Sequence, residues 1–178
     1  MLLFPLFLLL FSLPVQAGYF EIGASGSYRK TSYDESNFLV YRSGTASVAY
    51  YFWELSALEV SYTKSRQDEI RTEYESRSFI TFYGVDLIFS LASRKSLFQP
   101  YIKVGVAHQN KTGSYKQSGT VNTLPEIEGW APSAGVGFKI IIGQHVAIKT
   151  GIDVWSSPLS QDKVSYDYAG RMGLSFLF

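Results

Sequence analysis

The sequence predicts an all-β protein, an eight-stranded antiparallel up-and-down β-barrel that crosses a membrane. Three observations carry that expectation. After Gly18, apolar and polar residues alternate with period two in eight separate stretches, as strands with two unlike faces require. One face is greasy; the other is built from Gly, Ser and Ala with matched acids and bases. The aromatic residues, 13 Tyr, 13 Phe and 3 Trp among 178 residues, gather toward the ends of those stretches.

The chain opens on an address. Residues 1–17, MLLFPLFLLLFSLPVQA, form an apolar run closed by the small residues Val15 and Ala17, which predicts an export signal cleaved after Ala17. The run is shorter than a helical span needs and is interrupted by Pro5 and Pro14. No Lys or Arg precedes it. Residues 18–178 then form the barrel domain.

Its first strand, 19–30, sets Phe20, Ile22, Ala24 and Tyr28 against Glu21, Gly23, Ser25 and Arg29. The second, 42–53, sets Ala46, Val48, Tyr50 and Phe52 against Thr45, Ser47 and Ala49. The third, 57–65, alternates Leu58, Val60 and Tyr62 with Glu59, Ser61 and Thr63. The fourth, 77–90, alternates Tyr83, Val85, Leu87 and Phe89 with Gly84 and Asp86. Strand five, 100–109, opposes Ile102, Val104 and Val106 to Lys103, Gly105 and Ala107; strand six, 131–142, opposes Ala134, Val136, Phe138 and Ile140 to Gly135, Gly137 and Lys139. Strand seven, 145–156, carries Val146, Ile148, Ile152 and Val154 against Lys149, Gly151 and Asp153. Strand eight, 166–178, carries Tyr168, Met172, Leu174, Phe176 and Phe178 against Asp167, Arg171, Gly173 and Ser175.

A soluble barrel would turn the apolar face inward, a membrane barrel outward to lipid. Small, charge-matched residues on the polar face fit a narrow lumen, where an isolated charge is costly and a paired one is tolerated. Ten charges are expected there: Glu21, Glu59, Asp86, Asp153 and Asp167 against Arg29, Lys103, Lys139, Lys149 and Arg171. The remaining charges fall in connections or at strand ends. Phe20, Phe52, Trp53, Phe89, Tyr101, Phe176 and Phe178 are expected to girdle the periplasmic rim. Tyr28, Tyr41, Tyr62, Phe79, Trp130, Trp155 and Tyr168 are expected at the outer one. Connections near 54–56, 91–99 and 142–145 are short or modest, and those near 31–41, 64–77, 110–130 and 156–166 are longer and polar, as short periplasmic turns and long outer loops would be.

Composition excludes several function classes. A formal net charge of +1 argues against nucleic-acid binding. The absence of cysteine excludes disulfides, thiolate metal sites, a cysteine nucleophile and a lipoprotein anchor. No cofactor or metal site is expected, and no catalytic residue is assigned. Of the two histidines, His145 falls in a predicted turn and His108 at the outer rim; Ser114 or Ser118 with Glu126 or Glu128 is the nearest thing to a catalytic grouping, and no motif supports it. Segment 110–126 carries Lys111 and Lys116 and is a candidate contact for lipopolysaccharide phosphates or a host surface.

The phrases Ala57-Leu58-Glu59, Tyr83-Gly84-Val85-Asp86-Leu87, Pro100-Tyr101-Ile102-Lys103-Val104-Gly105 and Gly135-Val136-Gly137-Phe138-Lys139 resemble the small outer-membrane barrels of OmpA/OmpX type. The ending, with Arg171, Gly173, Phe176 and terminal Phe178, resembles the C-terminal insertion signal of such proteins. The resemblance implies location in the outer membrane of a Gram-negative bacterium, surrounded by outer-membrane lipid and lipopolysaccharide. Transient handling by periplasmic chaperones and the barrel-assembly machinery, and a monomeric state, follow from it. No periplasmic domain is expected after the barrel. The role so implied is non-enzymatic, in envelope structure or surface interaction, with a plugged polar lumen; a small pore or carrier is the alternative, and a lipid A-modifying enzyme a more distant one.

Overall fold

A computed structural model describes residues 18–34, 36–72, 74–117, 119–156 and 166–178. The expected leader, 1–17, lies outside the described residues, as does Ser118. Nine strands follow in order: β1 (Tyr19–Ser32), β2 (Phe38–Trp53), β3 (Ser56–Arg71), β4 (Tyr74–Ser90), β5 (Phe98–Gln117), β6 (Thr120–Thr123), β7 (Ile127–Ile142), β8 (Val146–Ser156) and β9 (Tyr166–Leu177). Each pairs antiparallel with its sequence neighbour, except that β5 pairs both with the short β6 and with β7. The β1–β9 pairing closes eight of these strands into a barrel. Phe20 and Phe178 exchange backbone hydrogen bonds at that seam, 3.2 and 2.9 Å long. The β1–β9 pairs from Glu21↔Leu177 to Gly26↔Met172 close the ring along the lipid-facing stretch, as a bilayer demands because lipid offers no hydrogen-bonding partner.

The stagger of the barrel follows from its register. The path from Glu21 runs through its successive partners Ala49, Glu59, Asp86, Gly105, Ser133, Trp155 and Asp167. Carrying the β9–β1 register on from Met172 returns it to β1 at Thr31, ten residues beyond its start (31 minus 21). For eight strands this tilts each by about 40° to the barrel axis, within the range of transmembrane barrels.

The eight barrel strands are those the alternation marks, but several are longer than the sequence pattern predicts. β3 and β4 continue to Arg71 and Tyr74, so most of 64–77 is ladder rather than loop. β5 likewise runs to Gln117, and β6 folds back on its tip through a turn that places Gly119 at φ +85°. Above the membrane both faces of a strand meet water, so alternation fades while the backbone ladder continues. At the other end Gly143 takes φ +76° in the tight 143–145 turn, a backbone conformation natural to glycine.

Alternation sorts the faces as a bilayer requires. Ile22, Val48, Val60, Val85, Leu87, Val104, Val136, Ile152 and Leu174 are large, aliphatic and outward-facing with no protein to cover them. Glu21, Glu59, Asp86, Lys103, Lys139 and Asp153 are buried inside. A soluble protein would reverse both sets.

Candidate functional site

The lumen is filled in three layers. Nearest the periplasm, Tyr19, Ala49, Tyr51, Ala57, Ile88, Tyr101 and Leu177 pack into an apolar cluster. The Tyr19 and Tyr51 rings stack at 4.2 Å, and the Arg94 guanidinium lies 3.8 Å from the Tyr19 ring. Nearest the outer face, Tyr41, Ile80, Phe82, Ala107, Trp155 and Ala169 form a second cluster, in which Phe82 and Trp155 stack at 5.3 Å. The charges lie between these clusters.

Register explains how that charged layer works. Glu59 and Asp86 are direct cross-strand partners, and so are Lys139 and Lys149. Like charges so placed repel. Three acids (Glu21, Glu59, Asp86) stand on β1, β3 and β4, and four bases (Lys103, Lys139, Lys149, Arg171) on β5, β7, β8 and β9. One wall is therefore acidic and the facing wall basic, with Asp153 the acid set among the bases. Relief comes across the lumen. Lys139 Nζ reaches Glu21 Oε2 at 2.9 Å and the Tyr51 hydroxyl at 3.1 Å. Lys149 Nζ bridges Glu59 Oε2 at 2.8 Å and Glu21 Oε1 at 3.5 Å. Lys103 Nζ sits among Asp153 (3.1 Å), Asp86 (3.3 Å) and Glu59 (3.6 Å). Arg171 pairs with Asp153, and the Ser133 hydroxyl donates to Asp86 Oδ1 at 2.7 Å. Four acids meet four bases, so the layer is neutral.

Glycines make the room. A Cβ on Gly135 would stand 2.5 Å from Asp153 Oδ1 and 2.9 Å from Lys103 Cε; one on Gly105 would stand 2.2 Å from the Val85 carbonyl oxygen. The cavity left inside the layer, lined by Glu59, Lys103, Lys149 and Arg171 among others, is about 20 Å³. That holds about one water molecule.

The structure brings eight of the ten expected lumen charges together. Arg29 is a correction: its inward position on β1 is at the outer mouth, where it donates to the Tyr168 carbonyl (2.8 Å) and lies 4.7 Å from the Tyr168 ring, apart from the ion-pair layer. Asp167 lies on β9, but its side chain is outside the described residues. Trp155 is a second correction. Only 7% exposed, it belongs to the outer lumen cluster and not to the aromatic girdle. Tyr41 and Tyr101 move inside with it. Parity held the signal, since Trp155 stands two residues from Asp153 and Tyr101 two from Lys103.

The other girdle aromatics face outward. Phe20, Trp53, Phe89, Phe176 and Phe178 are exposed at the periplasmic rim, with Phe52 half-buried against Trp53. Tyr28, Tyr62, Phe79, Trp130 and Tyr168 are exposed at the outer rim, joined by Tyr83 against Tyr62. At the C-terminus, Arg171 and Gly173 face the lumen on β9 while Phe176 and Phe178 face lipid.

Among the described residues, which leave out Ser118, the hypothetical catalytic grouping does not assemble around Ser114. His108 contacts Glu128 at 3.5 Å and packs edge-on against Trp130. Ser114 lies six residues further along the same strand, about 20 Å away. Proton transfer between a base and a nucleophile needs hydrogen-bond contact. Among the described residues no group of His, Asp and Glu is arranged to hold a metal ion.

A family model described as the outer membrane protein beta-barrel domain matches residues 4–171. The chain belongs to that family. It is an outer-membrane β-barrel protein, which places the lipid-facing band in the outer membrane of a Gram-negative envelope. Among solved structures, the N-terminal β-barrel domain of Pseudomonas aeruginosa OprF is similar at TM-score 0.62 and 19% identity, over 90% of this chain and 97% of that one. Neisserial surface protein A is similar at TM-score 0.58 and 13% identity, covering 90% and 95%. Ail, the attachment invasion locus protein of Yersinia pestis, is similar at 0.56 and 13%, covering 90% and 97%. These likenesses are of fold. No curated protein matches the chain in sequence.

Proposed function

We propose that this outer-membrane barrel is a non-enzymatic, closed protein that acts through its outer strand extensions rather than through its lumen. The observation that carries the reading is the three-layer filling: two apolar clusters enclose a neutral ion-pair layer with about 20 Å³ to spare. A hydrated ion needs a continuous water path, and each of the eight charges in the ion-pair layer already has a counter-charge within reach. What remains accessible is the outer rim, including the β3–β4 hairpin and the β5–β6 tip, which stand clear of the lipid band.

In this reading residues 1–17 direct export and are removed after Ala17, and the ending at Arg171, Gly173, Phe176 and Phe178 is the signal by which the assembly machinery recognises the chain. The protein works as a monomer among outer-membrane lipids and lipopolysaccharide. Planar-bilayer recording on the refolded protein tests it. The expected trace stays at baseline across ±100 mV (about 2.3 kcal/mol per charge). Uniform conductance steps reproduced by every preparation would instead make the protein a small pore or carrier.

A further inference from the structure

The charges outside the lumen are not spread evenly round the outer rim. On the outward face, the one that carries Tyr62 and Val60, β1 bears Lys30, β2 bears Arg42, β3 bears Lys64 and Arg66, and β4 bears Arg77. Arg42 and Arg66 are direct cross-strand partners; Lys64 stands two residues above Tyr62, about 7 Å along the strand. Arg42 is also the partner of Tyr28, and Arg66 of Phe79, so the bases begin where the outer aromatic girdle ends. The rest of the outward rim differs: among the described residues, β5, β7, β8 and β9 carry Lys116 and Glu128 there.

Acids do not balance this strip. Asp68 serves both Arg66 (2.8 Å) and Arg77 (2.9 Å), and Glu75 is the second outward acid. Among the described residues Lys30, Arg42 and Lys64 have no acidic partner. Lys30 lies over the Phe38 ring and Arg42 over the Tyr28 ring instead. Like charges opposed across two strands are unfavourable; Arg66 is offset by Asp68, so Arg42 is the member of the pair left for an external anion. The same residues border a hollow of about 380 Å³ whose floor includes Phe38, Val40 and Ile70. Its lining combines the guanidinium forks of Arg42, Arg66 and Arg77, suited to bidentate phosphate contacts, with Lys116, the three acids Asp68, Glu69 and Glu75, and that apolar floor.

We infer that this strip binds the phosphorylated glucosamine headgroup of the outer-leaflet glycolipid, lipid A, whose acyl chains lie along the aliphatic face below. Arg42, Lys64 and Arg66 make the phosphate contacts, and Asp68 holds Arg66 and Arg77 in place. The inference is independent of whether the lumen conducts.

The test uses the full chain folded in phosphatidylcholine nanodiscs and titrated with diphosphoryl lipid A, lipid A stripped of both phosphates, or phosphatidylglycerol. Wild type is expected to bind diphosphoryl lipid A at least tenfold more tightly than either alternative, with affinity falling as salt rises. The Arg42→Gln/Lys64→Gln/Arg66→Gln variant is expected to lose at least tenfold. Lys111, a candidate phosphate contact on sequence alone, stands opposite the inward, buried Ile80 in register and so lies off the lipid-facing strip; Lys111→Gln is expected to stay within twofold. A gel shift between unheated and boiled samples verifies folding. Should the triple variant fail to fold, Arg42→Gln alone, which leaves the Asp68 pairs intact, is expected to lose at least threefold. Equal binding of phosphatidylglycerol, indifference to phosphate removal, or losses as large in Lys111→Gln overturn the inference.

Discussion

Glu21 and Lys139 offer the cleanest test of whether the cross-lumen pairs hold the barrel together. Their side chains are nearly inaccessible, their charged atoms are 2.9 Å apart, and their positions lie 118 residues apart in sequence. Lys139→Met leaves Glu21 with Lys149 at 3.5 Å and the Tyr51 hydroxyl at 2.9 Å, and the layer with one surplus negative charge. Glu21→Leu leaves Lys139 with the Tyr51 hydroxyl alone, and one surplus positive charge. Removing one partner of a buried pair typically costs about 3–5 kcal/mol, because the survivor stays desolvated. The retained partners place Lys139→Met near the lower end, about 3 kcal/mol, and Glu21→Leu near the upper end. The double variant restores neutrality and leaves Lys149 on Glu59 at 2.8 Å, so its cost falls to about 2 kcal/mol or less. The coupling in a double-mutant cycle is then at least about 3 kcal/mol. Urea unfolding in lipid vesicles, followed by tryptophan fluorescence and by the gel shift on boiling, supplies the four free energies. Additive losses, with coupling under about 0.5 kcal/mol, would refute the argument that the walls are pinned through their charges.

Further expectations concern the rest of the structure. Gly105→Ala forces a Cβ to within 2.2 Å of the Val85 carbonyl and should destabilise by about 1–3 kcal/mol in the same unfolding assay, whereas Gly26→Ala, nearest the Ser43 carbonyl at 3.5 Å, should change little. In single-tryptophan variants, brominated lipids should quench Trp53 and Trp130, which are 58% and 55% exposed on the lipid face, and spare Trp155 at 7%; equal quenching of all three would return Trp155 to the girdle. The third expectation is a pH effect at the β3–β4 hairpin, outside the lipid band. Burial pushes the Asp68 carboxyl up, but hydrogen bonds from Arg66 and Arg77 outweigh it and hold it below the ordinary carboxylate range. The depressed value means that the stabilisation is present above the unfolded-state pKa of about 4 and is lost as pH falls through the lower folded value. Protection from hydrogen exchange at the hairpin tip, taken relative to the intrinsic rate at each pH, should therefore fall below about pH 4 in wild type, and already be low at neutral pH in Asp68→Asn. A flat profile in wild type would remove Asp68 as the hairpin's clasp.

Much of this fold is legible in the sequence because a bilayer imposes a strict two-residue rhythm on each strand. The rhythm separates Val48 from Ala49 and Val60 from Glu59 with no further information, and it yields eight strands and a charged interior. It stops where lipid stops, which is why residues 67–71 and 111–117 read as loop although their backbones stay in the ladder. Trp155 differs for another reason: the interfacial preference of tryptophan points to the girdle, whereas the parity it shares with Asp153 points into the lumen. Register is the third gap. Nothing in one sequence shows that Glu59 meets Asp86, that Lys139 meets Lys149, or that Arg42 meets Arg66. The acidic and basic walls and the basic strip on the rim therefore become visible only with the strands aligned.

The central claim is that the aliphatic face meets lipid and the charged face meets itself. The chain has no cysteine, so single cysteines can be placed along β2 from Ala46 to Tyr51 and spin-labelled without interference. In lipid vesicles, oxygen accessibility should be high at 46, 48 and 50 and low at 47, 49 and 51, a clean period of two. Accessibility that is uniform along the segment, or high at 47, 49 and 51, would contradict the barrel's orientation and every functional conclusion built on it.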